Sequence, residues 1–188
     1  MVELEKRDPI IYVLAGQARS GKDSSVGFLK EYYEKLGKKV KQLEFKHYLV
    51  EYTKAMTDWN GDLDNKPREV LNYIGTDIIR TQIDERFFIK RTLEDILVYS
   101  YHFDVMIISD SRFPIEIESI KEVYPEVISV HLIREIDGIL NENEKKHAVE
   151  TSLIGYQNYD YTVFNDGTLD DLKEKIINIA KEVKQNEH

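Results

Sequence analysis

Nine consecutive residues, Gly16-Gln17-Ala18-Arg19-Ser20-Gly21-Lys22-Asp23-Ser24, have the types and spacing to hold a chain of phosphates. They read G-x-x-x-x-G-K. Glycines at both ends of such a loop permit positive φ and bring backbone N–H groups against phosphate oxygens. A helix that starts at the end of the loop points its positive pole at the same anion. Lys22 adds a full charge where β- and γ-phosphates would lie. Gly16, Ala18, Arg19, Ser20, Gly21, Lys22, Asp23 and Ser24 are therefore the expected ATP-binding residues. Asp23 stands where a Ser or Thr hydroxyl ordinarily meets Mg²⁺, and Ser24 follows it. A carboxylate is a good hard-oxygen ligand, and its charge beside a triphosphate makes the site more dependent on that metal. Arg19 faces either solvent or a phosphate, and the sequence leaves both open. The plain alternative for the whole run is a glycine-rich turn with no ligand.

A second carboxylate belongs with the first loop. Val105-Met106-Ile107-Ile108-Ser109-Asp110 is an apolar strand ending in an acid, the place where Mg²⁺ is held directly or through water once a phosphate loop is present. Alone, such an Asp is a turn or helix cap. Arg112 lies two residues further, at the sheet edge where ligands of open α/β sheets bind. The chain has only eight arginines, and Arg68, Arg80, Arg112 and Arg134 fall near element ends or on helices that can line a cleft. Phosphoryl transfer needs neutralisation of donor and acceptor phosphates, which a bidentate guanidinium supplies. Arg7, Arg86 and Arg91 read as surface ion pairs. His147 and Glu150 lack the second histidine of a zinc motif and read equally as a helix start or a lid contact. Most of the twelve tyrosines, Tyr32, Tyr33 and Tyr48 among them, read as core or rim residues.

The elements that must position these groups alternate strand and helix, the mark of an α/β domain. Strands are expected at 10–15, 39–45, 104–109, 127–133 and 160–164. The continuous apolar run at 10–15 suits a central strand buried on both faces. Val26, Leu29, Tyr33 and Leu36 give a helix after the loop, stopped by Gly37. Residues 46–101 read as mostly helical, broken by the loop DWNGDLDNKP at 58–67. Residues 134–150 are charged and poor in apolar side chains, a candidate flap. Leu169, Leu172, Ile176, Ile179 and Val183 form the seam of a last helix, with Thr168 and Asp171 as a weak capping box.

The bulk numbers narrow the class of function. The 188 residues suit one domain, and 41% apolar with 32% charged residues is a globular balance. Twenty-six basic against 35 acidic residues give −9, a poor balance for a duplex nucleic-acid binder. A few arginines facing one cleft still decide the field there. The absence of cysteine excludes disulfides, thiolate zinc sites and thiol nucleophiles, and fits a reducing cytoplasm. Neither a membrane span nor the hydrophobic core of a signal peptide is expected.

The chain resembles the deoxynucleoside monophosphate kinases of phage and bacteria, relatives of adenylate kinase among the P-loop kinases. The resemblance rests on GQARSGKDS (16–24), PREVLNYIGTDIIR (67–80), DSRFPIEIESI (110–120), HAVETS (147–152) and YTVFNDGTLDDL (161–172). It implies a three-layer α/β/α P-loop NTPase fold with a five-stranded parallel sheet in the order 2-3-1-4-5. It implies a single domain, with a core of 1–45, 101–133 and 155–188, a helical monophosphate-binding insertion at about 46–100 and a lid at about 134–150. By the same likeness Arg68, Arg80 and Arg112 hold the acceptor phosphate, and Arg134 approaches the transferring group. Asn165 and Gly167 border the adenine of ATP, and Asp23, Ser24 and Asp110 serve the metal, with Lys22, Arg112 and Arg134 as the catalytic cations. Where relatives carry a Phe-Ala-Asp-Pro-Leu-Lys-like stretch, this chain has Phe45-Lys46-His47-Tyr48-Leu49-Val50, so the acceptor is read differently, His47 being one substitute contact and equally a surface residue. The expected activity is transfer of the γ-phosphoryl of ATP, with Mg²⁺, to a nucleoside or deoxynucleoside monophosphate. The alternatives are a P-loop kinase of another phosphorylated metabolite and a non-catalytic ATP-binding module. Base, sugar and oligomeric state, a homodimer included, are left open.

Overall fold

Every residue from Ile10 to Ala15 is buried, and this strand, β1, is the middle of a five-stranded sheet. The structure is a computed structural model and describes residues 5–62, 64–134, 153 and 155–185. The other strands are β2 (Val40–Leu43), β3 (Val105–Ser111), β4 (Ile128–Ile133) and β5 (Tyr161–Phe164). All pair in parallel in the order β2-β3-β1-β4-β5. Around them lie α1 (Lys22–Lys35), α2 (His47–Met56), α3 (Arg68–Asn72), a π-helix (Tyr73–Ile83), α4 (Phe87–Tyr99), α5 (Pro114–Val123) and α6 (Leu169–Gln185).

Alternation along β1 divides the interior. Tyr12 and Leu14 face a cluster with Val26 and Leu29 of α1 and Ile176 of α6. Ile11 and Val13 face the other side, against Ile89 and Ile96 of α4 and Ile117 and Ile120 of α5. Side chains two apart share a face of a strand, so one apolar run feeds two cores and the sheet becomes the middle of three layers. Tyr33 is buried as well, sharing a 2.7 Å hydrogen bond between its hydroxyl and that of Tyr12. Thr168 and Asp171 form the reciprocal cap expected at the start of α6, Thr168 N–H donating to Asp171 at 2.7 Å and Asp171 N–H to Thr168 Oγ1 at 3.2 Å.

Two elements differ from expectation. The second strand stops at Leu43 instead of reaching residue 45, because the amides of Phe45 and Lys46 turn toward the carboxylate of Asp110. The third strand runs two residues longer, to Ser111, and carries a bulge. Val13 pairs with Ile108 but Ala15 with Ser111, so Ser109 and Asp110 oppose a single residue of β1. The helical stretch at 46–101 and its loop are present, and part of that stretch, Tyr73–Ile83, is wound as a π-helix. Its i→i+5 pattern closes with Asp84 N–H donating to Ile79 C=O at 2.8 Å. Helix α5 was unread; Pro114 opens it, where a missing N–H costs nothing. Among the described residues no helix is long and apolar enough to cross a membrane. Of the expected lid at 134–150 only Arg134 is described, and His147, Glu150 and HAVETS lie outside the described residues.

The two cores lie on opposite faces of the sheet, so Leu29→Ala and Ile117→Ala should each cost ~2–5 kcal/mol in denaturant unfolding. Their double variant should lose the sum to within about 0.5 kcal/mol, as sites without shared partners do. A strongly non-additive result would contradict the layered arrangement.

Candidate functional site

The loop between β1 and α1 is shaped by backbone that only glycine supplies. Gly16 has φ +144°, and a Cβ there would sit 2.4 Å from the carbonyl oxygen of Leu132 on β4. Gly21 has φ +107°, and its Cβ would meet the side-chain amide of Asn165 at 2.7 Å. Asn165 is buried, and its Nδ2 donates to the carbonyl of Ser20 at 3.0 Å. It thus ties the loop to the end of β5. The adenine contact expected of Asn165 therefore falls on a residue whose amide already braces the loop, while Gly167 is exposed in the turn after it. Lys22 donates to the carbonyls of Gly16 and Gln17, both at 2.6 Å, which folds its ammonium back over the loop. Arg19 is exposed with φ +63°, and the buried Ser20 hydroxyl finds no hydrogen-bond partner among the described residues. Ala18 is half-buried beside them, and Asp23 is exposed and Ser24 half-buried on the first turn of α1.

Across from this loop, the bulged end of β3 and the first turn of α5 each hold a carboxylate that acts on backbone. Asp110 accepts the N–H of Phe45 at 2.8 Å and of Lys46 at 3.1 Å, fixing the turn from β2 into α2. Burial pushes its carboxyl up to about 6, with Lys46 and the two amides pulling against that rise and Glu116 adding to it. Glu116, on the first turn of α5, is almost fully buried. It accepts the N–H of Arg112 at 2.8 Å and of Phe113 at 3.1 Å, and its other oxygen pairs with Arg80 at 2.6 Å. Arg80 also lies 4.5 Å above the Phe113 ring, a cation–π contact.

These groups surround a cavity of about 440 Å³ that reaches Ala18 of the loop. Such a volume is in the range of small-molecule sites. Among the described residues, Lys46, Lys66, Arg68, Arg80 and Arg112 line it against only Asp110 and Glu116. Its apolar wall comes from Phe45, Leu49, Val50, Leu71, Phe88 and Phe113. The structure thus brings Arg68, Arg80 and Arg112 together as expected. Arg134 is exposed just beyond β4, and neither it nor His47 lines the cavity.

Four residues here went unassigned in the sequence. Lys46 stands in the divergent stretch after β2, and Lys66 precedes Pro67-Arg68 in a loop otherwise rich in acids. Glu116 had a legible signal, lying two residues past Pro114, the N3 spacing of a helix cap. His131 of β4 stacks on Tyr159 with ring centres 4.3 Å apart, and burial, then the charge of Lys22, hold its imidazole below the usual histidine range.

A family model described as deoxynucleotide monophosphate kinase matches residues 40–176, beginning after the phosphate loop. Solved structures share the fold at low identity. The APS kinase of Mycobacterium tuberculosis in complex with AMPPNP and APS is 10% identical, covering 93% of this chain and 99% of that one with a TM-score of 0.60. The shikimate kinase of Aquifex aeolicus is 16% identical, covering 92% and 97%, with a TM-score of 0.52. A gluconokinase from Sinorhizobium meliloti is 13% identical, covering 97% and 99%, with a TM-score of 0.53. No curated protein matches the chain.

Two measurements check this geometry. A carboxyl whose folded pKa lies above its unfolded value stabilises the fold below the unfolded value, near 3.9 for Asp, and that contribution fades as pH rises through the folded one. The ¹³C carboxyl signal of Asp110 should therefore titrate near 6. Asp110→Asn should remove the matching loss of stability between acid and neutral pH, and a midpoint in the ordinary aspartate range would contradict the burial argument. Glu116→Ala leaves Arg80 unpaired in a largely buried place and strands two amides, so it should cost ~3–5 kcal/mol in urea unfolding. A cost near zero would show that the pair does not hold the site.

Proposed function

The chain belongs to the deoxynucleotide monophosphate kinase family, and from that premise we propose that it transfers the γ-phosphoryl group of ATP to a nucleoside or deoxynucleoside monophosphate, giving the diphosphate. The observation that carries this reading is the cavity beside the phosphate loop, cationic on one part of its wall and apolar and aromatic on another. A monophosphate with a flat base has both characters. On this reading residues 46–100 are the acceptor-side insertion, 134–150 the lid, and the rest the core of one domain.

The transfer asks for placement and charge neutralisation more than for covalent chemistry. The N–H groups of Gly16 to Lys22 and the Lys22 ammonium hold the donor phosphates, the lysine exchanging two carbonyl oxygens for phosphate oxygens. Arg68, Arg80 and Arg112 face the acceptor, and Arg134 approaches the group in transit. Magnesium fits the donor set, since the Asp23 carboxylate and the Ser24 hydroxyl are hard oxygens on the turn that follows Lys22. Among the described residues no three acidic or histidine side chains cluster to hold a metal alone, which suits an ion bound through phosphates as well as protein. When bound, it would neutralise charge on the triphosphate oxygens. Asp110, with an amide on each oxygen, stands behind that position as a support.

A coupled assay of ATP consumption across the common ribo- and deoxyribonucleoside monophosphates tests the proposal. Turnover with at least one deoxynucleoside monophosphate is expected, and Lys22→Ala should lower kcat roughly 100- to 1,000-fold. Indifference to every nucleotide with transfer to another phosphorylated metabolite would reassign the acceptor. ATP binding with no transfer at all would make the protein a binding module.

A further inference from the structure

Arg80, Lys46 and Lys66 share the cavity wall but differ in how their charge is met. Arg80 is paired with Glu116, and Lys46 with Glu44 at 3.1 Å. Neither Lys66 nor Arg68 pairs with a carboxylate among the described residues, although both line the cavity. Pro67 stands between them with φ −78°, and Arg68 N–H donates to the Lys66 carbonyl at 2.9 Å. This tight turn fixes the backbone from which both cationic side chains reach the cavity.

We infer that Lys66 is a ligand for the acceptor's phosphate, acting with Arg68 and Arg112 at the cavity wall. The inference rests on the kinase reading above and names a contact within it. Lys66 is held where a lysine would not otherwise be placed. Burial first, then the charges of Lys46, Arg68 and Arg112, lower its pKa, with only Glu44 opposing. Each of those influences disfavours an ammonium, and the attraction of a bound dianion opposes them. A phosphate monoester is such a dianion above its second ionisation near pH 6. A half-buried cation among like charges, with no carboxylate partner among the described residues, is a site whose stability is spent on binding, as functional sites commonly show.

The expected pattern separates a ligand from a structural residue. Lys66→Met should raise KM for the accepted monophosphate roughly 10- to 100-fold, the scale of one charged hydrogen bond. KM for ATP should stay unchanged, and Tm should hold or rise because a repelled charge is gone. Lys66→Arg should restore most of the affinity. In parallel, calorimetry of the full chain without ATP, with inorganic phosphate as probe, should show weaker binding in Lys66→Met than in the wild type. Unaltered monophosphate KM and phosphate affinity in that variant would overturn the inference, as would a fall in Tm that Lys66→Arg repairs without a change in KM. If the wild type transfers to no nucleotide, the kinase reading falls and the phosphate calorimetry alone decides: equal affinities in the two proteins overturn the role of Lys66, and a loss in the variant supports it.

Discussion

Mutual repulsion among cations is the constraint on which the cleft depends. A chain with net charge −9 places five basic side chains on one cavity wall. Two unit charges 4 Å apart repel by about 4 kcal/mol at an effective dielectric of 20. Such a grouping persists only where backbone holds it. Asp110 and Glu116 provide the hold, and each does so mostly by accepting main-chain amides: Phe45 and Lys46 for the first, Arg112 and Phe113 for the second. The carboxylates thus fix the segments that carry Lys46 and Arg112, and Glu116 pairs with Arg80, while only part of the charge is cancelled.

That arrangement explains what could be read from residue order alone. The five strands and the phosphate loop were legible because each rests on local pattern: an apolar run, a glycine pair at fixed spacing, a helix seam; the strand order came through the resemblance. The parallel sheet then follows from the handedness and short connections of β-α-β units. The arginines of the cavity were legible through the resemblance. What sequence did not disclose depends on contacts distant in the chain. Lys46 looked like part of a divergent stretch, and its place in the cleft is set by a hydrogen bond to Asp110, 64 residues away. Glu116 pairs with Arg80 across 36 residues. Asn165 braces Ser20 across 145. No periodicity encodes such pairs. The early end of β2 has the same origin, since alternation continued past Leu43 while the Asp110 carboxylate pulled the next amides out of the ladder.

The phosphate loop is held by a different logic from the cavity beside it. Gly16 is pressed against the backbone of β4 and Gly21 against Asn165 beyond β5, so the phosphate loop is gripped by the half of the sheet on its far side. The cavity is walled by α2, α3, the π-helix and the end of β3, elements from the other half. The two half-sites meet at Ala18. The loop's geometry is thereby set by strand ends, while the cavity's is set by short helices.

The π-helix from Tyr73 to Ile83 carries that contrast furthest. Its wide winding is an uncommon backbone state, frequent at working sites and rarely sustained for eleven residues. Thr81 and Gln82 use their own side chains to reach carbonyls five residues back, and Gly75 lets Leu49 of α2 press directly on the coil. Thr76 and Arg80 both reach the neighbouring hollow from this coil. Their angular spacing around its axis is set by the wide winding, so rewinding the segment at 3.6 residues per turn would point the two side chains in different directions.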